Sequence, residues 1–208
     1  MGRTLAITLF RHGLTQENVE RRYNGWTDVP LSKKGEDEAM KLRFFTPNGY
    51  ERIFVSDLLR AKQTAKLLFP HVERIECPAL REVNFGSWEG RTADDLREEP
   101  SYQAWLNNPE SFAPNGGETM EVFKSRVMTG WSKIIDRMRQ EELSNVALVA
   151  HGGVLRVLLE AFAPRKRLFW EWEVAFGTAF RLVGNDEQGR GVRFTSLQVE
   201  PLMEKVNG

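Results

Sequence analysis

The chain has 208 residues, 41% hydrophobic, 28% charged and 11% aromatic, enough for one α/β domain or two small ones burying about 70% of the unfolded surface, which excludes disorder as the main state. Lys plus Arg number 29, as do Asp plus Glu, so no overall basic field draws the protein to nucleic acid or an acidic membrane, and anion recognition has to be local. Cys77 is the only cysteine, which excludes an internal disulfide framework and multi-cysteine metal sites, fits a reducing compartment, and reads as a small buried hydrophobe rather than a reactive thiol.

The first apolar run, 5–10, has the pattern of a strand buried on both faces and ends in Arg11-His12-Gly13. It is too short to span a bilayer and does not read as a secretory signal, so a cytoplasmic protein is expected. After irregular polar text from Leu14 to Pro30, Ser32 is placed to cap a helix running to about Phe45. A short strand over 52–55 leads into Ser56, a candidate N-cap for a helix whose stripe is Leu58, Ala61, Ala65 and Leu68, with Arg60 in its first turn. Residues 71–76 predict a third strand, and 80–90 an ordered loop. An excursion from the core follows at about 92–115, carrying Tyr102, Trp105 and Phe112 as a candidate apolar lid.

Phe123, Val127, Trp131, Ile134 and Met138 recur at helical spacing for about five turns, the mark of a core helix. The run 145–150 repeats the opening theme, a strand ending in His151-Gly152-Gly153 before a buried helix over 154–162. Alternation in 174–183 and 192–199, split by Gly184-Asn185 and by 189–191, predicts an antiparallel edge hairpin. Trp170 and Trp172 alternate with Glu171 and Glu173, as in a half-buried extended segment. With no repeat or linker, the expected architecture is a single domain over 1–208: a three-layer α/β/α sandwich around a mostly parallel sheet with an antiparallel edge strand, and its site beyond the strand carboxyl ends.

Two of the three histidines, His12 and His151, stand at strand ends followed by glycine. One such histidine would most often be structural; two at equivalent places point to a site. Glycine lets backbone approach a ligand, and the first turn of the helix after His151 offers N–H groups to an anion, phosphate being the natural candidate. Arg11 and Arg60, each just after a strand at the same sheet edge, are placed to supply bidentate donors.

These residues resemble the histidine phosphatase, or phosphoglycerate-mutase-like, superfamily over nearly the whole chain. The signature Leu9-Phe10-Arg11-His12-Gly13-Leu14-Thr15-Gln16-Glu17-Asn18 is joined in order by 23–28, 31–35, 56–65, 80–90, 117–119 and 149–153. The resemblance implies that His12 takes the phosphoryl group as a transient phosphohistidine, and that Arg11, Arg60, His151 and the uncharged donor Asn18 hold its oxygens. It also implies that Glu82 is the proton donor to the leaving oxygen, and that neither metal nor cofactor is required. Thr15, Gly25 and Gly152 complete the candidate substrate-binding set. Leu14 stands where the family usually has Glu, which puts a contact from that position in doubt without removing any pocket residue.

The short region between Glu82 and His151 resembles the small phosphatases, such as α-ribazole phosphatase and the broad-specificity phosphatases, more than the glycolytic mutases. The expected activity is hydrolysis of a small phosphomonoester by a monomer or homodimer, with no nucleic-acid or membrane partner. A cofactor-dependent phosphoglycerate mutase and a catalytically silent phospholigand-binding module are the alternatives. A metallohydrolase lacks a His-x-x-x-His or cysteine pair, and a serine hydrolase lacks its Gly-x-Ser-x-Gly turn.

Overall fold

The computed structural model describes residues 3–187 and 191–201. Strand β1 (Arg3–Arg11) is followed by the short helix α1 (Gln16–Val19) and by α2 (Lys33–Leu42), which Ser32 caps through the Gly35 N–H. Next come β2 (Arg52–Val55), α3 (Leu59–Leu68) and β3 (Arg74–Glu76). The excursion holds α4 (Ala93–Leu96) and α5 (Pro100–Asn107). Then α6 (Met120–Gln140), β4 (Asn145–Ala150) and α7 (Gly152–Phe162) precede the final strands β5 (Thr178–Glu187) and β6 (Gly191–Pro201).

The six strands run in the order β3-β2-β4-β1-β5-β6, the first four parallel and the last two antiparallel. Alternation along each strand divides the core into two layers. Leu5, Ile7, Leu9, Phe54, Val146 and Leu148 face α6 and α7, whereas Phe10, Ile53, Val55, Ala147 and Val149 face α3 and the end of α2. Helices therefore cover both faces, as a mostly parallel sheet requires. The crossover from β1 to β2 passes over the place later filled by β4, so three parallel strands end side by side: Arg11 is opposite Ala150, and Val55 opposite Val149. The ladder continues one residue further, through His12 N–H to Ala150 O at 2.9 Å and Ser56 N–H to Val149 O at 3.0 Å.

Several expectations need correction. Helix α2 stops at Leu42 rather than about Phe45, and β3 is confined to Arg74–Glu76 because the chain first turns through 70–73. Ser56 does not cap α3; Leu58 holds the N-cap position, and the Leu59 N–H is satisfied at 2.6 Å by Asp28 from a distant loop. Gly184-Asn185 is not a turn: β5 runs through it with a bulge, and a side chain at Gly184 would collide with the Arg193 carbonyl of β6. Gly189 lies outside the described residues. Residues 169–171 form a short 3₁₀ turn instead of an extended segment, leaving Trp172 buried and Trp170 59% exposed.

In the excursion, Tyr102 and Trp105 are buried with Trp88 and Leu96 in a satellite core, where the Trp88 ring lies edge-on to both at 5.3 and 5.5 Å. Phe112, the third candidate lid residue, is 46% exposed. An open cleft of about 430 Å³ flanks this cluster, lined by Tyr23, Trp105, Leu106, Pro109 and Trp170.

Candidate active site

The three adjoining strand ends deliver Arg11 and His12, Ser56, and His151 to one place. The His12 and His151 rings stand 5.0 Å apart. The His12 Nδ1 lies 2.7 Å from the Gly13 carbonyl. A carbonyl only accepts, so Nδ1 carries the proton and Nε2 keeps its lone pair. Burial holds the His12 pKa well below the usual histidine value, and the Arg60 and Arg11 cations push the same way. The ring is therefore a neutral imidazole with a free Nε2 at neutral pH, the form a nucleophile needs.

Arg60 is fully buried at the start of α3. Its Nη2 and Nη1 donate to the carbonyls of Gly25 at 2.6 Å and Thr27 at 3.0 Å, which fixes the guanidinium plane. Arg11 donates from Nη1 to Val174 O at 2.8 Å, and its guanidinium lies 3.7 Å over the Phe176 ring. Burial lowers the Arg11 pKa to about 10, still leaving a cation at neutral pH. Both arginines retain a buried Nε with no partner among the described residues, and so does His151 at Nδ1. Buried polar groups are rarely left unpaired, and an oxyanion in the site would supply the missing acceptors.

Glu82 reaches the same place from the loop after β3. Its Oε1 accepts from the Val83 N–H at 3.0 Å, and its Oε2 from the Gly153 N–H at 2.9 Å. That second bond revises one expectation, because this N–H in the first turn of α7 is taken by Glu82 rather than left for phosphate. The Glu82 backbone is itself pinned: its carbonyl accepts from Trp26 Nε1 at 2.9 Å and from Arg126 Nη2 at 3.0 Å.

Asn18 and Thr15 form a reciprocal cap on α1. The Asn18 Oδ1 accepts from the Thr15 N–H, and the Asn18 Nδ2 is the donor that remains, with no hydrogen bond to another of the described residues. Thr15 is buried, with its hydroxyl accepting from the Asn18 N–H and Asn24 Nδ2. Gly25 serves through its carbonyl, and a side chain there would strike the Val83 carbonyl. Gly152 lies under the Arg11 guanidinium, at 3.5 Å from where a Cβ would be.

Sequence reasoning did not single out Ser56, Thr64, Trp26, Arg126 or Gly153 for the site. Thr64 joins its two halves, accepting from the Gly13 N–H at 2.9 Å and donating to Arg60 O at 2.7 Å. Its place one turn after Arg60 was the available signal; Trp26 lies in the 23–28 segment, where nothing marks its indole as a partner of Glu82, and Arg126 lies outside every matching segment. Among the described residues, no group of three or more His, Cys, Asp or Glu is arranged to hold a metal ion.

Comparison with known proteins agrees with this geometry. The family model described as histidine phosphatase superfamily (branch 1) matches residues 7–196. The adenosylcobalamin/α-ribazole phosphatase of Salmonella typhimurium is 34% identical over 161 residues, 74% of this chain and 78% of that protein. A 2,3-bisphosphoglycerate-dependent phosphoglycerate mutase of Gloeobacter violaceus is 33% identical over 165 residues, 74% of this chain and 73% of that one. The crystal structure of the α-ribazole phosphatase from Shigella flexneri superposes with a TM-score of 0.80 at 28% identity, covering 93% of this chain and 96% of that one. For Bacillus stearothermophilus YhfR the TM-score is 0.76 at 31% identity, covering 92% and 94%.

Proposed function

The chain belongs to the histidine phosphatase superfamily, and from that premise we propose that it hydrolyses small phosphomonoesters through a phosphohistidine on His12. The observation that carries the reading is the meeting of two neutral imidazoles, 5.0 Å apart, with two guanidiniums whose buried Nε donors have no partner among the described residues.

The His12 Nε2 lone pair attacks phosphorus as the bond to the leaving oxygen breaks, and Glu82 gives that oxygen its proton. Glu82, now a carboxylate, takes a proton from water. The water oxygen attacks phosphorus, the N–P bond breaks, and inorganic phosphate leaves with His12 restored. Arg11, Arg60 and His151 hold the phosphoryl oxygens through both steps, with the Asn18 amide as a neutral donor, Thr15 and Gly25 bracing the loop around them, and Gly152 supporting Arg11. Fixed cations in a water-poor site stabilise the charge spreading over those oxygens without having to reorganise.

The relatives named α-ribazole phosphatase make a nucleotide-like monoester with an aromatic base the first substrate to test. The cleft beside Trp105 and Trp170 offers aromatic surface for such a group. The reading carries with it one domain over 1–208 with a lid at about 92–115, a monomer or homodimer, and a cytoplasmic location in which Cys77 stays reduced. No helix among the described residues is long and apolar enough to cross a membrane.

The test is phosphate release from a panel of phosphomonoesters, with acid-labile label trapped on His12 by rapid quenching. No release from any of them would leave a silent binding module as the better account. Relatives named phosphoglycerate mutase favour a second reading, phosphoryl return to substrate. Isomerisation of 3-phosphoglycerate with 2,3-bisphosphoglycerate present, faster than hydrolysis, would select it.

A further inference from the structure

Ser56 is fully buried directly after β2. Its hydroxyl lies 2.8 Å from His151 Nε2 and 3.4 Å from the Leu58 nitrogen. The other ring nitrogen of His151, Nδ1, is buried without a partner among the described residues. Burial, followed by the Arg60 charge, holds this imidazole in its neutral form. A neutral imidazole has one proton for two nitrogens, so where that proton sits decides what the ring can offer.

With the proton on Nε2, the ring would donate to Ser56 and turn an Nδ1 lone pair toward a phosphoryl oxygen, which repels. With the proton on Nδ1, Nε2 accepts from the Ser56 hydroxyl and Nδ1–H is free to donate to that oxygen. The serine oxygen has one proton and two lone pairs, so giving the proton to Nε2 leaves it able to accept the Leu58 N–H.

We propose that the Ser56 hydroxyl is a positioning group that fixes His151 in the Nδ1–H tautomer, so that the ring meets the phosphoryl group as a donor. The proposal rests on the reading of His151 as a phosphate ligand. Both site histidines then share one tautomer and use opposite nitrogens: His12 has its Nδ1 proton held by the Gly13 carbonyl and attacks with Nε2, and His151 has its Nε2 held by Ser56 and donates from Nδ1.

Histidine-selective ¹⁵N NMR tests this on His71→Gln protein, which removes the exposed third ring. Both remaining rings are expected to show a protonated Nδ1 and an unprotonated Nε2. In Ser56→Ala one ring should move toward the Nε2–H form, and affinity for inorganic phosphate should fall roughly 10- to 100-fold, the scale of one hydrogen bond to a charged group. Ser56→Thr, which keeps the hydroxyl, should restore the tautomer. A wild-type His151 carrying its proton on Nε2 overturns the proposal, as does Ser56→Ala with unchanged tautomer and phosphate affinity. If Ser56→Ala does not fold, the wild-type spectrum still decides. Neither readout needs turnover, so a protein that binds phosphate but releases none from esters would sink the hydrolase reading while leaving the Ser56 result to stand.

Discussion

Replacing Gly153 with alanine is expected to move the proton donor without touching the phosphate-holding side chains. Gly153 has helical rather than left-handed backbone, so alanine fits α7. The new Cβ, however, would fall well inside contact distance of Glu82 Oε1, and at 3.2 Å from both Glu82 Cδ and Phe123 Cζ. The carboxylate is the flexible partner and must swing aside on the order of 1 Å, losing its 2.9 Å bond from the Gly153 N–H. A displacement of that size at a reacting group costs about 100-fold in rate. The fold should barely notice, since alanine gains about 0.5–1 kcal/mol over glycine in a helix, against a few tenths of an ångström demanded of Phe123. The assay compares kcat on an alkyl phosphate, whose leaving oxygen needs a proton, with kcat on p-nitrophenyl phosphate, whose leaving group does not, and records Tm in parallel. About 100-fold loss on the first, much less on the second and a Tm within a few degrees is the expected pattern. Wild-type kcat on the alkyl phosphate, or equal loss on both substrates, would refute the placement of Glu82 as the acid.

Three further outcomes are expected. His12→Ala should lower turnover by on the order of 10³-fold or more and abolish the quenched label, with destabilisation no greater than the roughly 0.5–3 kcal/mol usual for a point mutation; calorimetry beside kinetics checks both. Stability should fall as pH drops below about 6.5, because the unfolded chain then takes up protons that the depressed pKa values of buried His12 and His151 deny to the folded state. Each ring adds a slope of up to about 1.4 kcal/mol per pH unit, and urea titrations between pH 7 and 5 should detect it; flat stability over that range would contradict neutral buried rings. Trp88→Ala should cost about 3–5 kcal/mol by emptying the centre of the satellite core, read as a lower urea midpoint.

The parts legible in the sequence were those with local causes. Continuous apolar runs marked β1 and β4 as strands covered on both faces, and glycines after His12 and His151 marked where they end. What escaped had causes far along the chain. Ser56 before a helical stripe is indistinguishable from a cap until Asp28, 31 residues away, is seen to hold the Leu59 N–H and free the serine for His151. Gly184-Asn185 carries the letters of a turn, yet the glycine is there so that β6 can approach at a bulge. Trp26 and Arg126 hold Glu82 by its backbone carbonyl, a partnership with no sequence period to betray it. The lid aromatics were visible as a cluster, but their choice between touching substrate and filling a core turned on Trp88, which only packing reveals.

The central position of β1 also sets when the molecule can assemble. Residue 9 pairs with residue 148 on one side and residue 180 on the other, so β1 waits without either neighbour while the segments from α1 to α6 are made. Long-range pairing of this kind is slow and exposes a sticky segment while it waits. Arg11 takes its carbonyl partner from Val174, between β4 and β5 in the chain, so its guanidinium is held in place only once that segment has docked.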